Sequence, residues 1–145
     1  MTGDHGHPAI LLSNRQPLPV DEPGLTELAR STLLAEDQRD VELSVSFVDD
    51  REMEGLHVRF MDETGPTDVL SFPLGEDDQP GVKLLGDVVI APAVATRNNP
   101  DDPAKELRLL LVHGILHILG YDHEEEAERA EMWARQERYS GVRVP

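Results

Sequence analysis

The stretch LRLLLVHGILHILGYDH, residues 107–123, decides how the rest of the chain is read. Apart from Arg108, residues 107 to 112 are all aliphatic. His113 and His117 then interrupt the apolar run four positions apart. On a helix that spacing puts both imidazoles on one face. A helix that is apolar on nearly every side is buried. An imidazole buried without a partner costs about 1–3 kcal/mol, so both rings need something to bind. Gly120 lets the chain leave the helix in a left-handed conformation. The turn that follows can return His123 toward the pair. Three converging imidazoles are the ligand set of a catalytic zinc, with a fourth position for water or substrate. The plain alternative is a set of hydrogen-bonded core histidines. The coincidence of three histidines with a glycine turn favours the metal.

The surrounding sequence builds an α+β domain around this segment. Asp102 followed by Pro103 is a helix-start signal, so the buried helix should run from Pro103 to about Leu119 and end at Gly120. VELSVSFVDD (41–50) alternates apolar and polar residues, as a half-buried strand does. AILLS (9–13), DVLSFPL (68–74) and LLGDVVIAP (84–92) read as further strands. Residues 24–37 and 50–61 have helical spacing, the second with Met53, Leu56, His57 and Phe60 on one face. PAVATRNNPDDP (92–103) reads as a short helical piece and a Pro/Asn/Asp loop. A last helix, roughly 124–139, should start after Asp122, with Asp122 and Glu125 at capping-box spacing and Trp133 in its core face. Strict βαβ alternation is absent. The expectation is one mixed sheet of about four strands packed with helices, and a zinc cleft formed by the buried helix and the loop after it. Residues 1–8 read as a disordered N-terminal extension, and residues 9–145 as a single catalytic domain.

Composition narrows the function. The chain has 145 residues, enough for one domain with a real core. It has no cysteine, so disulfides and thiolate zinc sites are excluded. The N-terminus lacks the pattern of a signal peptide, and no apolar run is long enough to span a bilayer. The expected location is the cytoplasm. The net charge of -16 argues against tight nonspecific binding to nucleic acid, and no DNA partner is expected. Eleven of the 13 basic residues are arginine, the side chain best suited to gripping phosphate. Arg59, Lys83, Arg97, Lys105 and Arg108 are candidates for a local basic rim.

The histidine spacing matches that of metzincin peptidases, His-Glu-x-x-His-x-x-Gly-x-x-His, with one departure. Gly114 stands where those enzymes have their general-base glutamate. One expectation is that this glycine leaves room above the metal for a bulky phosphodiester. The other is close helix packing.

HGILHILGYDH followed by EMWARQE, together with GPTDVLSFP and LGDVVIAP, resembles the YbeY family of bacterial endoribonucleases. The likeness spans about residues 40–137. It implies an α+β fold with one Zn2+ held by His113, His117 and His123. It also implies cleavage of single-stranded RNA in 16S rRNA 3′-end maturation and ribosome quality control. The implied partners are precursor 16S rRNA and the ribosome or its small subunit. Asp68, Ser71 and Asp87 fall within the matching motifs, and Ser71 is taken as a catalytic candidate. The family's common Tyr-Arg pair before Pro-Thr is Phe60 and Met61 here, and its common Asn is His57. Arg59 is the candidate replacement for that Arg, although a shift of two residues turns a helical side chain by about 200°. Two rival readings remain: a zinc peptidase, disfavoured by Gly114, and a non-catalytic ribosome-assembly factor with structural zinc, disfavoured by three ligands instead of four.

Overall fold

Val41, Leu43, Val45 and Phe47 are buried, and the residues between them are half-buried. That alternation makes the segment a central strand with one strongly apolar side. The computed structural model describes residues 7–61, 67–74, 83–121 and 125–142. Its elements run β1 (Ala9–Asn14), α1 (Glu22–Ala35), β2 (Val41–Phe47), α2 (Asp50–Met61), β3 (Val69–Pro73), β4 (Lys83–Ile90), α3 (Pro92–Asn98), α4 (Pro103–Ile118) and α5 (Glu126–Ser140). The strands form one sheet in the order β1-β2-β4-β3. β1, β2 and β4 are parallel, and β3 runs antiparallel to β4 along the sheet edge. This is the mixed four-stranded α+β architecture expected from the sequence.

The two sheet faces carry different helices. Leu43, Val45, Phe47, Val88 and Ile90 pack against Leu33 of α1 and Leu107, Leu111 and Ile115 of α4. Leu70 and Val89 pack on the other face with Met53 and Leu56 of α2. α5 lies outside α4, joined to it by Val112, Leu116 and Met132. Asp102 caps α4 by accepting from the Lys105 amide at 3.2 Å, with Pro103 in the first turn.

Two expectations about α5 are corrected. Its N-cap is Glu125, which makes no side-chain capping bond, so Glu125 is not the third residue of a capping box; Asp122 lies outside the described residues. Trp133 is 47% exposed and lies outside the core. The face α5 buries is Met132, Gln136 and Ser140, and Trp133 sits about 100° round from Met132. There the Arg129 guanidinium lies 5.6 Å from its ring centre.

Glu36, at the end of α1, ties three elements together. Its carboxylate accepts from the Tyr121 hydroxyl at 2.7 Å, from Arg135 at 2.5 Å and from the Tyr139 hydroxyl. Burial pushes this carboxyl up, but the bonds from Tyr139, Tyr121 and Arg135 outweigh it and hold it below its ordinary value. Burial, then the Glu36 bond and charge, push the Tyr121 hydroxyl up to about 12. A lowered folded-state pKa gives stability that is present above the unfolded value, about 4.3, and lost as pH falls through the folded one. Glu36→Gln should therefore cost about 2 kcal/mol at neutral pH, and less as the pH approaches 3. Urea unfolding of both proteins across that range measures the difference.

Candidate functional site

α4 ends in a Schellman turn. The Gly120 amide donates to the His117 carbonyl at 3.0 Å, and the Tyr121 amide donates to Leu116 at 3.0 Å. Gly120 has φ of 103°, which a side-chain-bearing residue rarely adopts. Tyr121 then packs against the Val112, Leu116 and Met132 cluster while its hydroxyl reaches Glu36. The chain is thus pinned at both ends of the Tyr121 side chain, two residues before His123. Asp122 and His123 lie outside the described residues.

His113 and His117 do come together. Their ring centres are 4.8 Å apart, with planes inclined at 69°. Both are half-buried, at the margin of the α4 core face. Nδ1 of His113 lies 2.7 Å from Oε1 of Gln136, a buried residue of α5. Neutral imidazoles one turn apart, one with its second nitrogen engaged, suit a divalent metal of the zinc type. Among the described residues no group of three or more His, Cys, Asp or Glu side chains gathers for a metal, so the described part of this site is the histidine pair.

Gly114 faces the sheet. A Cβ there would come within 2.7 Å of Val88 Cγ1 and 3.2 Å of Ser71 Oγ. The idea that it opens space above a metal is therefore corrected: the glycine lets α4 press onto β3 and β4. The Ser71 hydroxyl donates to the Gly114 carbonyl at 3.1 Å. Ser71 is thus on the α4 side of the sheet and bonded to the helix backbone beside His113.

The other candidates are dispersed. Asp87 pairs in register with Phe72, and both face α2, on the side away from α4. Asp68 lies near Asn98, whose amide donates to it at 3.4 Å. Burial, with the charge of Asp68 adding to it, pushes the Glu106 carboxyl up, two helical turns before His113. Arg59 is exposed at the end of α2, its guanidinium 5.8 Å from the Phe60 ring centre. α2 and α4 cover opposite faces of the sheet, so the described contacts do not join Arg59 to the histidines.

The five basic residues do not form one rim. Lys83 opens β4 and Arg97 follows its far end, about 25 Å away along an eight-residue strand. Arg97 pairs with Asp50 at 2.9 Å, and Arg108 donates to the Ser140 carbonyl at the end of α5. Two residues that matter here, Gln136 and Glu36, were not read from the sequence. Each meets its partners from a distant helix, and no local spacing announces such a contact.

A family model described as Endoribonuclease YbeY matches residues 12–141. The chain belongs to the YbeY endoribonuclease family. It is 49% identical over 135 residues to Endoribonuclease YbeY of Beutenbergia cavernae, covering 84% of this chain and 88% of that protein. It is 43% identical over 141 residues to the Streptomyces griseus protein of the same name, covering 88% and 86%. The solution structure of TM1509 from Thermotoga maritima shares the fold with a TM-score of 0.60 at 30% identity, over 90% of this chain and 86% of that one. The family resemblance carried by the motifs is borne out. Among the described residues no helix is long and apolar enough to cross a membrane.

The Gly114 contact gives a direct test. Gly114→Ala should destabilise the fold by about 1–2 kcal/mol, because the overpacking against branched Val88 exceeds the gain in helix propensity. Adding Val88→Ala should remove most of that coupling. A double-mutant cycle from denaturant unfolding measures it.

Proposed function

We propose that this protein is a zinc-dependent endoribonuclease that cleaves single-stranded RNA in the cytoplasm, acting on precursor 16S rRNA and the small ribosomal subunit. The observation that carries the reading is the His113–His117 pair, with rings 4.8 Å apart, in a chain of the YbeY endoribonuclease family. The proposed ligands are His113, His117 and His123, leaving one position for water or substrate. Zinc held by three neutral imidazoles supplies an undiminished double positive charge, able to acidify water and to stabilise charge developing on a phosphate.

The chain's own residues position and orient. Gln136 engages Nδ1 of His113 and leaves Nε2 for the metal. Ser71 holds the Gly114 carbonyl and so fixes the helix at the level of the first ligand. Its hydroxyl oxygen keeps a lone pair, and we assign it a place at the cleft floor. Arg59 has no carboxylate partner among the described residues, unlike Arg15, Arg97 and Arg135. It lies on α2 beside the exposed Phe60, and Phe60 packs edge-on to Phe72 of the edge strand β3 at 5.3 Å. We assign Arg59 to the RNA backbone, gripped around that edge.

His117→Ala should lose bound zinc and cleavage of single-stranded RNA together, with the fold retained by circular dichroism. RNA cleavage that survives zinc loss would overturn the proposal. Cleavage of a peptide pool with RNA left intact would mark a peptidase, and bound zinc with neither activity an assembly factor. A 2′,3′-cyclic phosphate on the product identifies the RNA's own 2′-hydroxyl as nucleophile. Arg59→Ala should lower RNA cleavage at least tenfold with zinc content and melting temperature unchanged. Metal analysis beside a fluorescent-RNA assay reads both.

A further inference from the structure

Gln136 is a polar side chain buried where α5 packs on α4. It is 4% exposed. Its neighbours one turn away on the same face, Met132 and Ser140, are also buried. The Ser140 hydroxyl donates to the Gln136 backbone carbonyl at 2.6 Å, and Met132 locks α5 to Val112 and Leu116 of α4. The Gln136 side chain therefore projects from a fixed backbone. Its Oε1 lies 2.7 Å from Nδ1 of His113.

A carbonyl oxygen only accepts, so Nδ1 must carry the hydrogen. In a neutral imidazole Nε2 then holds the lone pair, and only a lone pair can ligate a metal. An amide turned end for end would present its NH2 to Nδ1. The hydrogen would then sit on Nε2 and block it. We infer that Gln136 is the positioning residue that selects the metal-binding tautomer of His113 and fixes its ring plane. The inference rests on the metal reading above. It also specifies the partner as neutral. Carboxylates are common in this role and add a negative charge to the site. The amide orients the ring and adds none.

Two substitutions separate the acceptor from the packing. Gln136→Met keeps an unbranched side chain of similar length and removes the acceptor. Gln136→Glu keeps the acceptor and adds charge. The first readout is the tautomer of His113 in metal-free full-length protein, from its ring 15N shifts at a pH well above the imidazole range. Wild type and Gln136→Glu should hold the hydrogen on Nδ1, and Gln136→Met should shift toward Nε2. The second readout is zinc affinity by competition with a chromogenic chelator. Gln136→Met should bind about 10–100-fold more weakly, and Gln136→Glu as tightly as wild type or more so. An Nε2–H tautomer in the wild type overturns the inference even if Gln136→Met does not fold. So does a loss of affinity in Gln136→Glu as large as in Gln136→Met, because packing would then explain both. A wild type that takes up no zinc overturns the metal reading, while the tautomer in metal-free protein still decides the role of Gln136.

Discussion

The contact between Gly114 and the sheet sets the rotation of α4, and the site follows from that rotation. A Cβ at 114 would lie 2.7 Å from Val88 Cγ1, so this position must point straight at β4. At about 100° per residue, His117 then lies about 60° round the helix from Gly114, and His113 about 100° round in the same direction. Val112 and Leu116 fall on the far side, where they meet Met132 of α5. Leu107, Leu111 and Ile115 fall on the other flank, toward the sheet and α1. The histidine pair therefore occupies the groove between the sheet and α5. Both of its neighbours there supply a polar group: Ser71 from β3 and Gln136 from α5.

Much of this was legible in the sequence, because local rules generate it. Asp102-Pro103 and Gly120 mark the ends of α4 through capping and a left-handed turn, and both operate as read. Alternation identifies β2, and the four-residue spacing identifies the shared histidine face. What could not be read depends on partners far away in the chain. Gln136 meets His113 across 23 residues and Glu36 meets Tyr139 across 103. Trp133 misleads because an aromatic beside a buried Met132 looks like core, whereas it sits about 100° round the helix from the buried face. The supposed basic rim fails for the same reason: closeness in space depends on strand direction, and β4 separates Lys83 from Arg97.

Gly114 shows how one residue can have two explanations that only packing separates. Beside the first histidine, a glutamate would suggest a peptidase's general base, and its absence suggested room for a large substrate. The geometry supports neither. Position 114 faces Val88 and Ser71, so a side chain there would enter the sheet before it reached a substrate. The glycine is a requirement of helix–sheet contact, and the lack of a base at 114 is its consequence.

That consequence bears on the chemistry proposed for the site. Amide hydrolysis leans on a base to take a proton from water, and α4 cannot offer one at 114 without moving away from the sheet. A phosphodiester arrives with its own negative charge, and so gains more from an undiminished cationic centre than a neutral amide does. The neutral Gln136 fits that demand, since a carboxylate in its place would draw off part of the charge. On this reading, close packing at Gly114 and an amide at 136 act in the same direction. The first removes the acid side chain a peptidase needs, and the second orients His113 without adding a negative charge of its own.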